Sequence, residues 1–317
     1  MIGVDLRIHD EKMKKIYIKD IIESIGCINF IGEPNAPIIE LIKLDESNNR
    51  ADVLSWCSDK NSDKLCNVKA GTIICSSAAL KKQLNSQVNW IIVDNPRLYF
   101  SRVVEQFFYQ PPVRKGISKT AYIHQSSQIG TNCYIGEYVV IEENCLIGNN
   151  CEIGHHTVIH HGTIINDNVK IGCSNTIGGF GYGYEKDEQG QYLPIPHLGN
   201  VIINEQVEIC NNSCIDRAAL GSTTIGINVK ISNLVHIGHG VTIGKNSLII
   251  ANAMIAGSTT IGENVWVSPS TSIINNTTIK NNAVLGLGAV VLKPVEENAV
   301  VVGNPARDIH QLNKSQD

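Results

Sequence analysis

Residues 225–291 read IGINVKISNLVHIGHGVTIGKNSLIIANAMIAGSTTIGENVWVSPSTSIINNTTIKNNAVLGLGAVV. Every sixth residue of this stretch is aliphatic: Ile225, Ile231, Ile237, Ile243, Ile249, Ile255, Ile261, Val267, Ile273, Ile279, Leu285 and Val291, without a slip. The next residue is often glycine (Gly226, Gly238, Gly244, Gly262, Gly286). The residue two before is small or β-branched (Val229, Val235, Val241, Ala253, Thr259, Thr271). Fixed-period self-similarity marks a solenoid, and an aliphatic period of six belongs to a β-helix. Each hexad supplies one short strand and a corner, so three hexads close a triangular coil. The aliphatic side chains stack inward, and the small residues relieve crowding at the corners.

The period continues towards the N-terminus. Ile123, Ile129, Ile135, Ile141, Ile147, Ile153, Ile159, Ile165, Ile171 and Ile177 are spaced by six. It is lost over residues 178–201, GGFGYGYEKDEQGQYLPIPHLGNV, whose glycines, aromatic residues and prolines predict an extruded loop. Hexads resume at Ile203, Ile209 and Ile215, then skip by ten to Ile225, which implies a four-residue bulge near Ala219. These inward positions make about eight coils. Residues 1–116 lack the period. There, 14–25 read as an amphipathic helix, 51–56 and 89–93 as strands, and 95–108 as a helix opened by Pro96, where proline is tolerated. Gln110-Pro111-Pro112 is a linker signal. The expected organisation is a mixed α/β domain at 1–116, a β-helix at 117–293, and a cap and tail at 294–317 that hide the solenoid's end.

Composition narrows the function. The apolar share of 43% suffices for a core and the aromatic share of 5% suits one filled by Ile and Val. A net charge of −4 argues against nucleic acid as a partner. No apolar run reaches transmembrane length, and the charged N-terminus lacks a signal-peptide core. Of ten cysteines, Cys133, Cys145 and Cys151 fall on the small-residue position of the repeat. They read as small hydrophobes in a reducing cytoplasm rather than as disulfide partners. No CxxC or Cys/His spacing suggests zinc, and no metal is expected.

The hexad pattern resembles the hexapeptide-repeat acyltransferases, which implies a left-handed parallel β-helix, a homotrimer, and an active site in the cleft between two prisms. The closing VVGNPA, ending at Ala306, is similar to family members that use coenzyme A donors. Several stretches together resemble one branch, the UDP-3-O-acylglucosamine N-acyltransferases of lipid A synthesis. They are Val93-Asp94-Asn95-Pro96-Arg97, Ile177-Gly178-Gly179-Phe180-Gly181-Tyr182, Ile195-Pro196-His197-Leu198-Gly199, Ile215-Asp216-Arg217-Ala218-Ala219 and Asn233-Leu234-Val235-His236-Ile237-Gly238-His239. By this resemblance His239 falls on the family's catalytic base, Gly257 on its oxyanion glycine, and Trp56 on the aromatic that stacks a uracil base. The domain at 1–116 is then a nucleotide- or sugar-binding domain.

Spacing supports the first pair independently. His239 and Gly257 are 18 residues apart, one coil, hence on the same face of neighbouring rungs about 4.8 Å apart. Acylation of an amine needs a base to take the ammonium proton and a fixed donor for the tetrahedral oxygen. Without chemistry, His239 is an exposed histidine and Gly257 a tight corner. Asp216 orients His239, binds the sugar amine, or simply pairs with Arg217. His236 faces the cleft or stands by. Phe180 and Tyr182 line the cleft or pack the loop down, and Trp56 is a nucleobase platform or a core residue. His155, His156, His160 and His161 suggest a metal cluster, but His155 and His161 are six apart and on different faces; a solvated or trimer-facing role is expected.

Three departures from the family stand out. Asn276 replaces its second cleft histidine, and Asp59 and Ser62 replace an Asn and a Tyr beside the stacking aromatic. Only about a dozen residues follow Pro305, where the family has a helical extension used with its acyl-carrier-protein donor. The expectation is therefore a cytoplasmic N-acyltransferase with no tightly bound cofactor. It would transfer an acyl group from acyl-CoA to a nucleotide-linked amino sugar such as a dTDP-amino-dideoxyhexose. The alternatives are the lipid A enzyme itself, with acyl-carrier protein as donor, and a non-catalytic scaffold.

Overall fold

A computed structural model describes residues 15–27, 29–46, 50–80 and 85–309. The chain divides into two units, Met1–Pro112 and Val113–Asp317.

The first unit is a five-stranded sheet in the order Asn29–Ile31, Val88–Ile92, Gly71–Cys75, Val53–Trp56, Glu40–Leu41. Only the first strand is antiparallel to its neighbour. Parallel strands need both faces covered, and the central strand is buried throughout. Ile18 and Ile21 of one helix and Val103 of another pack with Leu54, Ile74 and Ile91 on one face. Trp90, Ile73 and Val68 fill the other. The first helix is Ile18–Ile25, shorter than expected, because Ile16–Tyr17 pairs as a strand with Pro37–Ile38 and Asp20 accepts a hydrogen bond from the Tyr17 amide. Lys14 lies outside the described residues. The second helix, Pro96–Val103, is capped by Asn95 and widens into a π-turn at Val104–Phe108.

The second unit is a parallel β-helix with faces of eight, nine and eleven strands, the last of the eleven, Arg307–Asp308, being antiparallel. The aliphatic column is its core: Ile237, Ile255 and Ile273 are fully buried and stacked in register. Cys133, Cys145 and Cys151 are buried among them, and all ten cysteines are free thiols. Three residues after most inward aliphatics the chain turns through a left-handed conformation, at φ 58° for Asn228, 60° for Asn246, 56° for Asn264 and 58° for Asn282. Asparagine tolerates that region better than most residues, and Asn228 donates to Asn246 across one coil at 3.0 Å. The tallest face runs from Gly116–Ile117 to Val300–Val302, one strand beyond the expected register at each end.

Two breaks interrupt the coils. Strands Thr176–Gly179 and Asn200–Ile203 stay on the coil, and residues 180–199 leave it as a ribbon pairing Tyr184–Lys186 with Tyr192–Pro194. A second excursion, 217–221, follows Cys214–Asp216, so that Cys214 pairs with His236, 22 residues on, instead of 18. Both breaks border the coil that carries strand Cys214–Asp216, the neighbour of His236–Ile237.

Candidate active site

His239 stands at the corner after His236–Ile237, and Gly257 occupies the same corner one coil on. Gly257 does not adopt a left-handed φ, so the turn itself does not demand glycine. The imidazole does: a Cβ on Gly257 would lie 2.6 Å from Nε2 and 2.7 Å from Cε1 of His239. Burial holds the His239 pKa below the ordinary imidazole value, and the nearby His197 lowers it further. His239 is therefore neutral at neutral pH and can accept a proton.

Asp216 is the last residue of the preceding strand. Its Oδ2 lies 3.5 Å from Nε2 of His236, and no hydrogen bond joins it to His239. Burial raises its pKa above the usual carboxylate range, against the pull of His236 and His197. His236 is exposed beside it. Asn276 is exposed at the next corner, its backbone N–H donating to the Gly257 carbonyl at 3.0 Å. His239, Gly257 and Asn276 thus follow one another up one edge, with Asp216 and His236 alongside. Phe180 is 71% exposed and Tyr182 is 87% exposed, the latter ring tilted at 59° to that of Tyr184 with centroids 5.0 Å apart. In this unit Tyr182 is not packed down, while Phe180, though exposed, lies against Arg217.

Two residues missed by the sequence reading build the surroundings. Arg217 is 1% exposed. Its Nε donates to the Gly178 carbonyl and a terminal nitrogen to the His161 carbonyl, each at 2.7 Å, while the other terminal nitrogen meets His161 Nε2. Phe180 lies over its guanidinium at 5.4 Å. Arg217 therefore seats the root of the extruded loop instead of pairing with Asp216. The other is His197, whose ring meets that of His239 at 5.2 Å and 77°. An isolated arginine or histidine carries no periodic signal; glycines alternating at 181 and 183 were the only hint of a close approach.

The four clustered histidines disperse. His156 stacks on Tyr138, His155 meets Tyr134 edge-on, and His160 and His161 share Glu142. Among the described residues no group of three or more His, Cys, Asp or Glu is placed to hold a metal. None of the described helices is long and apolar enough to cross a membrane.

In the first unit, Trp56 borders a cavity of about 900 Å³ together with Phe100, Ile42, Ser58, Asn61 and Lys64. Its ring centroid is 6.3 Å from that of Phe100. Trp56 is thus half-buried, packed against the core on one side and open to the cavity on the other. Asp94 is exposed and outside the lining.

No family model matches the chain. It is 40% identical over 253 residues to the UDP-3-O-acylglucosamine N-acyltransferase of Campylobacter lari, covering 75% of this chain and 77% of the relative. The enzyme of that name from Nitrosococcus oceani is 40% identical over 252 residues, 73% of this chain and 71% of the relative. That from Desulfotalea psychrophila reaches 51% over 140 residues, 44% and 41% of the two chains. Among solved structures, the UDP-N-acetylglucosamine acyltransferases of Bacteroides fragilis and Francisella novicida superpose with TM-scores of 0.55 and 0.56 at 23% and 24% identity. They cover 64% and 63% of this chain and 78% and 73% of theirs. These structures share the fold, a left-handed parallel β-helix. With a neutral histidine braced at the corner of its coils and relatives of that identity over most of its length, the chain belongs to the UDP-3-O-acylglucosamine N-acyltransferase family and is an N-acyltransferase.

Proposed function

We propose that this enzyme transfers an acyl group from an acyl thioester to the amine of a UDP-linked 3-O-acylglucosamine. The names of its relatives favour that acceptor over the dTDP-amino-dideoxyhexose suggested by the sequence departures. The observation that carries the chemistry is His239, held neutral by burial and braced on Gly257. In this reading the neutral sugar amine attacks the thioester carbon, and His239 takes the proton its nitrogen gives up and hands it to the departing thiolate sulfur. The Gly257 amide donates to the tetrahedral oxygen, and the thiol leaves as the amide forms. General-base catalysis of this kind contributes about 10²–10⁴-fold. Asp216 and His236 bind the sugar beside the base, with Phe180 and Tyr182 facing substrate from the loop. Trp56 offers an aromatic face to the uracil in its own cavity. The working form is a homotrimer in the cytoplasm, with acyl-carrier protein as donor.

One observation favours a second reading. Asn276 cannot exchange a proton where the family's second cleft histidine would, and it stands exposed beside Gly257. A smaller, unacylated nucleotide-linked amino-dideoxy sugar, acylated from acyl-CoA, would not need that histidine. Thiol release decides between them. The enzyme is supplied with 3-hydroxyacyl-carrier protein or 3-hydroxyacyl-CoA, each against UDP-3-O-acylglucosamine and dTDP-4-amino-4,6-dideoxyglucose. Turnover with the carrier protein and the UDP sugar supports the first reading; turnover only with CoA and the deoxysugar replaces it with the second.

A further inference from the structure

His197 sits at the end of the excursion 180–199 and is 4% exposed. Its Nδ1 is 2.8 Å from the Ile195 carbonyl oxygen. A carbonyl only accepts, so Nδ1 carries the proton and Nε2 the lone pair. That Nε2 is buried without a hydrogen-bond partner. Buried polar atoms are nearly always paired, and leaving one unpaired costs about 1–3 kcal/mol. The two limbs of the excursion close around this ring. A Cβ on Gly181 would lie 2.7 Å from Nε2 of His197 and 2.9 Å from Cβ of His239, and one on Gly183 would lie 3.2 Å from Cε1 of His197. The His239 side chain is therefore confined at its root by Gly181, at its tip by Gly257, and on one flank by the perpendicular His197 ring.

We infer that His197 is a positioning residue for His239: a tautomer-locked wall that ties the extruded loop to the base and keeps water from one side of its ring. This rests on the reading of His239 as the base. The unpaired nitrogen follows from the arrangement, because a ring pressed between Gly181 and His239 leaves no room for a donor at its inner edge. The titratable group facing His239 is His197 from the loop; Asp216, paired with His236 on the neighbouring strands, acts on His197 and not on His239.

Two variants separate the wall from the anchor. His197→Asn keeps a donor for the Ile195 carbonyl but loses the ring; His197→Phe keeps the ring and loses the donor. In His197→Asn, kcat falls about tenfold with KM little changed, short of the roughly 10²-fold that misplacing a catalytic group by about 1 Å costs, because Gly181 and Gly257 still confine the ring. The His239 ring, followed by NMR titration, shifts to a higher pKa as water reaches it, and the acid limb of kcat/KM moves up with it. In His197→Phe the melting temperature falls while kcat stays within about threefold of wild type. A merely structural histidine would lower Tm in both and leave the His239 titration where it was. An unchanged titration and kcat in folded His197→Asn overturns the inference, as does a His197→Phe enzyme as slow as its Asn counterpart. Should His197→Asn not fold, the Phe variant decides alone: retained kcat supports the wall, and a tenfold loss removes it. The titration is read without turnover, so it stands apart from which sugar or donor the enzyme uses, and activity surviving in His239→Ala would sink the base itself instead.

Discussion

The coils of residues 225–291 and the broken coils at 180–199 and 217–221 are built from the same short strands to opposite ends. In the regular stretch each inward residue does the same work as the one a coil above, as Ile237, Ile255 and Ile273 do. At the breaks no position has a counterpart. Arg217 is buried under a loop that occurs once, and His197 is clasped by glycines of that same loop. A repeat gives a rigid frame with a fixed 18-residue step, but it offers the same corner many times over. A departure from the repeat makes one corner unlike the rest, and His239 stands at that corner.

This contrast can be tested from both sides. The largest effect on stability belongs to the frame. Ile237→Ala opens a cavity beneath the site and lowers unfolding stability by about 2–5 kcal/mol, measurable by denaturant titration. Truncating the outward Thr242 should change it by less than about 0.5 kcal/mol. Gly257→Ala sharpens the other side. A Cβ there displaces the His239 ring, so kcat drops about 10²-fold while Tm stays near wild type, because the backbone needs no left-handed φ. Equal losses of Tm and kcat would mean that the glycine serves the corner. The smallest effect tests the equivalence of the frame's positions. Cys151, whose thiol burial pushes up to about 11, lies one coil below Val169 in the same column. Cys151→Val should change stability by less than about 1.5 kcal/mol and leave kcat unaltered.

The pH profile joins the two regions. Because burial and His197 hold His239 below the ordinary imidazole value, it takes up its proton at a lower pH than an ordinary histidine would. Activity should then be lost only at lower pH, when the ring is protonated and cannot accept a proton. An acid limb centred at or above the ordinary value would show that the titrating group is solvated and is not His239.

Periodicity made the frame legible. A side chain buried in every coil must be aliphatic in every coil, so the register, the loop and the four-residue bulge could all be read by counting. Ile117, six before Ile123, continues the register, whereas Val301 escaped because it stands ten residues after Val291 instead of six. In the α/β unit, Ile16–Tyr17 was hidden inside an apolar pattern that a helix would also satisfy. The pairing of His239 with Gly257 followed from one coil's spacing, although the reason for the glycine did not. The same step brings a pair of residues together without saying how a ring lies. Asp216 was assigned three roles, and pairing with His236 was not among them, since their proximity comes from the 22-residue offset. His197 and Arg217 were read only within motifs, with Arg217 offered as a partner of Asp216, and their contacts were hidden for the same reason: their partners lie 42 and 56 residues away across an excursion no period describes.

The most direct measurement compares thiol release by wild type and His239→Ala at saturating donor and acceptor, with Tm measured on the same samples. If His239 is the base, the variant loses about 10²–10⁴-fold in kcat and melts where wild type does. A His239→Ala enzyme that is fully folded and turns over at the wild-type rate would contradict that, and the proton acceptor would have to be sought elsewhere in the cleft.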